Sequence, residues 1–134
     1  MSFTIIIPFY NEEQNIENLI SEIFESLNKF NKYEIIVVND ASEDSTLEIL
    51  KKIQKKNINS VKLITNENNI GQSFSIIKAV KIAKYNTIVT LDGDGQNNPH
   101  DIPNLLKIYN ESDVSLIGGI RIKRKDKFIK IFSS

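Results

Sequence analysis

Between Thr90 and Pro99 the chain reads TLDGDGQNNP, with Asp92 and Asp94 two residues apart where an apolar run ends. In an extended segment residues i and i+2 point the same way with Cα atoms roughly 6.5 Å apart, so the two carboxylates converge as the chain turns. At about 5 Å and an effective dielectric of about 20 their repulsion is on the order of 3 kcal/mol, and the pair calls for a cation or open water. Carboxylate oxygens suit Mg2+ or Mn2+, ions that keep positions open for water and substrate phosphates. Gln96 adds an amide oxygen two residues on, a third candidate ligand. Gly93 and Gly95 let the backbone bend and approach closely. An isolated Asp-Gly-Asp-Gly is more often a polar turn. Its place at the end of a strand is what points to a site.

Other phosphate- and metal-binding patterns fail on spacing. An EF-hand loop starting at Asp92 needs Gly near its sixth position and Glu at its twelfth, where this chain has Asn97 and Pro103. A dinucleotide site needs G-x-G-x-x-G after the first strand, and PFYNEE stands there instead. A phosphoacceptor receiver domain carries its acidic pair after the first strand and a lone Asp after the third. Here the acids follow the second and fourth.

The elements that must position these residues are legible as apolar runs. Phe3 to Phe9 reads as a buried strand, and Asn11 with Gln14 resembles a capping box opening a helix. Ile16, Leu19, Ile20, Ile23, Phe24, Leu27 and Phe30 follow at helical spacing, with Glu17, Glu22, Glu25 and Lys29 turned outward. Tyr33 to Val38 is a second strand ending at Asn39-Asp40, and Ser45 with Glu48 suits the start of a helix carrying Leu47, Leu50 and Ile53. Val61 to Thr65, Thr87 to Leu91 and Val114 to Ile117 read as further strands, with helices over Gly71 to about Tyr85 and Ile102 to Tyr109. Strands apolar on both faces and alternating with helices predict an α/β fold, a Rossmann-like doubly wound, mostly parallel sheet. Ligands of such sheets sit beyond the carboxyl ends of the strands near the switch in strand order. That rule selects Pro8 to Glu12, Asn39-Asp40 and Asp92 to Asp94.

Composition narrows the function classes. The 134 residues allow one domain, 40% hydrophobic and 25% charged, with 17 basic and 17 acidic residues and a net charge of +0. Balanced charge offers no field for nucleic acid. Without cysteine there is no thiolate chemistry, disulfide or Cys-type zinc site, which fits a reducing, cytoplasmic setting. The first residues lack a basic leader, and no apolar stretch reaches the roughly 20 residues of a membrane span. His100, the one histidine, follows Pro99 at a helix start and reads as a surface residue. The basic run Arg121, Lys123, Arg124, Lys125, Lys127 and Lys130 is ordinarily a solvated face.

In order along the chain, IIIPFYNEEQNI, EIIVVNDASEDST, NIGQSFSI, IVTLDGDGQNNPHDIP and GGIRIKR resemble the family-2 inverting glycosyltransferases. Among these, the polyprenyl-phosphate group that includes dolichol-phosphate mannosyltransferase is most similar. The resemblance runs from Phe3 to the last residue and implies a GT-A fold with a UDP- or GDP-sugar donor and Mg2+ or Mn2+ as cofactor. It matches Pro8, Tyr10 and Glu12 to the first donor-binding loop and Asp40 to the acid that reads the nucleobase. It matches Asp92, Asp94 and Gln96 to the metal-binding D-x-D-x-Q element, with Asp94 as the catalytic position. Arg121 matches a G-x-R element, and Lys130 with Ser134 resembles a later element near the acceptor phosphate.

The implied activity is metal-dependent transfer of a hexosyl group to a polyprenyl phosphate at the cytoplasmic face of the membrane. A saccharide acceptor, a non-catalytic nucleotide-binding or interaction fragment, and a homo-oligomer stay open. The chain departs from the family pattern at Asn39, where an acid is common, and at Phe74 and Val80, where small residues are. Family members continue through an acceptor portion beyond the length seen here. Residues 1–134 are therefore expected to be a single, truncated donor-binding domain.

Overall fold

The computed structural model describes residues 1–111, 116–118 and 130–133. Strands β1 (Ser2–Phe9), β2 (Lys32–Asn39), β3 (Val61–Thr65) and β4 (Thr87–Thr90) are mutually parallel and joined by helices α1 (Ile16–Ser26), α2 (Thr46–Lys56) and α3 (Gln72–Ile82). A short 3-10 turn, Pro99–Asp101, leads into α4 (Ile102–Glu111), followed by β5 (Leu116–Gly118) and β6 (Lys130–Ser133). The sheet order is β3-β2-β1-β4-β6-β5, with β6 antiparallel to both its neighbours. The expected mostly parallel α/β sheet is thus present, and the order reverses between β1 and β4.

Strand alternation divides the core into two layers. Phe3, Ile5, Ile7 and Phe9 of β1, Ile35 and Val37 of β2 and Val89 of β4 pack with α1, α4 and Leu50 of α2. Their neighbours Ile6, Ile36, Val38 and Ile88 face the other way, onto Ala79 and the partly buried Ile76 and Val80 of α3. The apolar stripe of α1 is buried as its spacing predicts, through Ile16, Leu19, Ile20 and Ile23. Beyond it Phe30 and Tyr33 flank Phe3, edge-on with centroids 5.2 Å apart and stacked at 5.9 Å. Small buried residues, Ser75 and Ala79, let α3 lie close on the sheet, while Phe74 turns outward and is 64% exposed. The family departure at Phe74 therefore leaves helix packing undisturbed.

Several expected boundaries shift. Helix α1 ends at Ser26 rather than near Phe30, where the Ser26 hydroxyl donates to the Ile23 carbonyl and competes with the helical ladder. Helix α3 stops at Ile82, because Ala83 is extended. Leu91 follows β4 instead of ending it. Neither expected cap forms. Asn15, not Asn11, precedes α1, and Asp44, not Ser45, accepts from the Thr46 N–H at 2.9 Å. The expected fifth strand begins at Leu116, and its first two residues lie outside the described ones.

At the amino-terminal edge of the sheet, away from the strand ends that hold the candidate site, Glu34 is buried beside Thr4. Its carboxylate accepts from the Thr4 hydroxyl at 2.7 Å and from the Lys84 N–H, and pairs with Lys62 at 2.9 Å. Burial pushes its pKa up, but these bonds and the Lys62 charge outweigh burial and hold it below the usual glutamate range.

Candidate functional site

A cleft of about 300 Å3 opens at the carboxyl ends of β1, β2 and β4, where the strand order reverses. Pro8, Phe9, Tyr10 and Glu12 come from the end of β1, Asp40 from the end of β2, Gln72 from α3, and Asp92, Gly93 and Asp94 from the turn after β4.

The loop after β1 is held by the loop after β2 through reciprocal bonds. Asn11 donates its N–H to the Ser42 hydroxyl at 3.0 Å, and its side-chain oxygen accepts from the Glu43 N–H at 2.8 Å. Glu12 N–H donates to the Thr46 hydroxyl at 2.9 Å, Glu13 N–H to Asp44, and Ser45 N–H to the Glu13 carboxylate. Partial burial pushes the pKa of Asp44 up, but the Thr46 hydroxyl and N–H and the Glu13 N–H outweigh it and lower the pKa. Asn11 and Ala41 sit in the left-handed region with φ of 53° and 58°, unusual for residues with a side chain. Backbone held in this way where two strands end is typical of a binding loop. Tyr10 is left 45% exposed at the cleft mouth, and Glu12 accepts from the Asn15 side chain at 2.7 Å.

Asp40 is 3% exposed, and its carboxylate is the hub of the β2 side. One oxygen accepts from the Asn66 amide at 2.9 Å and the Ile70 N–H at 2.8 Å, and the other from the Gly71 N–H at 2.9 Å. Asn66 also donates to Ser75 at 3.0 Å and accepts from Lys78 at 2.7 Å. Gly71 has φ of 90°, a conformation closed to most residues, and it delivers the first residue of α3, Gln72, to the cleft. A carboxylate has about four acceptor positions. The three bonds here leave Asp40 room for one more donor.

The two aspartates lie on the turn that follows β4 rather than on the strand itself. Asp92 and Asp94 line the same wall, separated by Gly93, which is buried. A Cβ on Gly93 would lie 2.6 Å from both the Phe9 ring and the Pro8 carbonyl oxygen, so only glycine fits where this turn crosses β1. Asn97, 5% exposed, accepts from the Asp92 N–H at 2.6 Å and anchors the turn from below. Asp94 accepts from the Gln96 N–H at 3.1 Å, and Gln72 donates its amide to Asp92 Oδ1 at 2.5 Å.

Among the described residues no group of three or more His, Asp or Glu is arranged to hold a metal ion. Two carboxylates facing an open cleft nevertheless suit Mg2+ or Mn2+, which are commonly held by one or two carboxylates with substrate phosphates and water completing the shell. The donor set fits a cation shared with a ligand.

Of the residues singled out from sequence, Pro8, Tyr10, Glu12, Asp40, Asp92 and Asp94 meet in this cleft. Gln96 is exposed and outside its lining, bonded through its backbone to Asp94. Arg121, the side chain of Lys130, and Ser134 lie outside the described residues. Sequence reasoning missed Gln72, Asn66 and Asp44. Asn66 directly follows the third strand, and the strand-end rule applied there would have found it. Gln72 lies in the NIGQSFSI stretch, but nothing local gave it a role, because its partner is twenty residues away.

A mostly parallel α/β sheet with an acidic cleft beyond its carboxyl edge has the layout of the GT-A glycosyltransferases. The chain is similar in fold to a mannosyltransferase of Pyrobaculum calidifontis in complex with GDP-Man and Mn2+, with a TM-score of 0.79 and 24% identity, over 89% of this chain and 35% of the other. It is also similar to TarS of S. aureus in complex with UDP-GlcNAc, with a TM-score of 0.67 and 25% identity, over 92% of this chain and 37% of the other. Residues 4–133 match the family described as Glycosyl transferase family 2, and the chain belongs to that family. It is 38% identical over 117 residues to dolichol-phosphate mannosyltransferase of Pyrococcus furiosus, a match covering 87% of this chain and 32% of the relative. The chain spans from about a third to half the length of the curated relatives it matches.

Proposed function

We propose that residues 1–134 form the donor-binding domain of a metal-dependent, inverting glycosyltransferase that moves a hexosyl group from a UDP- or GDP-sugar to a polyprenyl phosphate. The observation that carries this reading is the convergence of Tyr10, Glu12, Asp40, Asp92 and Asp94 on one cleft at the switch point of the sheet. Family membership and the name of the Pyrococcus relative support the reaction and acceptor class.

Each residue has a role that its environment suits. The exposed ring of Tyr10 offers a stacking face to a nucleobase, and Pro8 and Phe9 line the same cleft. The remaining acceptor position of Asp40 reads a base N–H, and its other bonds fix the carboxylate beforehand. Asp92 and Asp94, with Gln96 brought round by a turn of its side chain, would hold Mg2+ or Mn2+. When bound, that ion neutralises the developing charge of the diphosphate leaving group. The acceptor phosphate is already anionic and attacks the anomeric carbon opposite the diphosphate, which inverts the centre without a strong general base. Rate enhancement then rests on positioning and on preorganised charge. Arg121, Lys130 and Ser134 remain the proposed acceptor-phosphate contacts; a lipid-phosphate acceptor implies a reaction at a membrane surface, and the cytoplasmic face is the one proposed.

The test is calorimetric and thermal-shift binding of UDP-glucose, UDP-GlcNAc and GDP-mannose with and without Mn2+. A donor at about 100 times its Kd stabilises the fold by roughly 2.7 kcal/mol. Metal-dependent binding of one donor, lost in Asp94→Ala, is expected. Equal binding by Asp94→Ala, or no binding of any donor to the folded chain, would overturn the reading.

A further inference from the structure

Gln72 is an exposed amide at the first residue of α3, yet it is placed with unusual care. The buried Asp40 carboxylate holds the N–H groups of the two residues before it, and Gly71 turns the chain at a positive φ. The side chain then reaches across the cleft to donate to Asp92 Oδ1 at 2.5 Å. From below, Asn97 holds the Asp92 N–H at 2.6 Å. Asp92 is therefore fixed at its backbone by one amide and at one carboxylate oxygen by another.

We infer that Gln72 is a positioning residue that makes cation binding at Asp92 and Asp94 depend on a diphosphate ligand. This rests on the donor-site reading above. Two consequences follow from its chemistry. By taking one acceptor position of Oδ1 and fixing how the carboxylate is turned, it competes with two-oxygen chelation by Asp92, so the protein alone presents the cation with a sparse set of ligands. Being neutral, it adds no third anion where a carboxylate would complete a cage. A cation held by so few protein oxygens needs phosphate oxygens to complete its shell. Metal and diphosphate then strengthen each other's binding by the same factor, as linkage requires. Asp40 gains a second role in the same arrangement. Its bonds to the Ile70 and Gly71 N–H groups couple the base-reading side of the cleft to the residue that sets Asp92.

The experiment measures Mn2+ binding to the full chain by electron paramagnetic resonance, alone and with saturating UDP or GDP, for wild type, Gln72→Glu and Gln72→Leu. In the wild type the nucleotide should tighten Mn2+ binding at least tenfold. Gln72→Glu, with a third carboxylate, should bind Mn2+ alone at least tenfold tighter than wild type and show a smaller nucleotide effect. Gln72→Leu frees Asp92 Oδ1 and should also shrink the nucleotide effect, while circular dichroism and the thermal midpoint stay as in wild type. If the wild type shows the nucleotide effect and both variants reproduce it unchanged, the role of Gln72 is overturned and the donor-site reading stands. If the wild type binds no Mn2+ even with nucleotide, both fall together.

Discussion

Gly93 shows how much the site asks of a single residue. Its missing side chain lets the turn carrying Asp92 and Asp94 cross against the Pro8 carbonyl and the buried Phe9 ring, each 2.6 Å from where a Cβ would be. Neither neighbour can give way, since one is strand backbone and the other is 1% exposed. Gly93→Ala should therefore destabilise the chain by about 1–3 kcal/mol, the usual range for overpacking. Chemical denaturation would measure it, and an unchanged midpoint would show that the turn has more slack than these distances allow. Asp40 is demanding in another sense. Three N–H donors already converge on it, so its carboxyl oxygens hold the fold together before they serve recognition.

Elements at opposite ends of the same strands are stabilised by different chemistry. At the carboxyl edge the loops after β1 and β2 lock each other through side chain to backbone bonds. At the amino edge Glu34 ties β1, β2, β3 and the segment before β4 together through Thr4, Lys62 and the Lys84 N–H. Because the folded-state pKa of Glu34 is lowered, its stabilisation is complete above the unfolded-state value and is lost as pH falls through the folded one. Asp44, also lowered, contributes with the same sign. Thermal midpoints should thus decline from about pH 5 downward. Glu34→Gln should be less stable than wild type near neutral pH and should lose part of that decline. Parallel melting curves of the two proteins across this range would exclude Glu34 as a source of acid sensitivity.

Across the whole molecule the two faces of the sheet are unequally dressed. Helices α1, α2 and α4 cover one, while α3 is the helix that packs on the other among the described residues. The outer side of α3 carries Phe74 and Ile77, 64% and 49% exposed, with the exposed Lys81 further along the helix. Residues turned so far outward contribute little to the fold, so Phe74→Ser should change stability by less than about 0.5 kcal/mol in urea titration. A loss of 2 kcal/mol or more would mean that Phe74 packs against protein. No helix among the described residues is long and apolar enough to cross a membrane.

Much of this layout was legible from periodicity, which depends on neighbours a few residues apart. The alternation of strands and helices, the buried stripe of α1 and the three acidic or polar strand ends followed from spacing alone. That Asp92 and Asp94 line one cleft also followed from their place just after a strand end. Contacts between distant segments could not be read in this way. The antiparallel insertion of β6 between β4 and β5, the bonds from Asp44 and Ser42 to the first loop, and the reach of Gln72 to Asp92 depend on which chain segments folding brings together. Local chemistry therefore determined which residues were equipped to act, and the sheet order decided which of them share a cleft. The physical reason is that side-chain direction repeats along a strand or helix, whereas a hydrogen bond across twenty or thirty residues exists only once the packed sheet has set both ends.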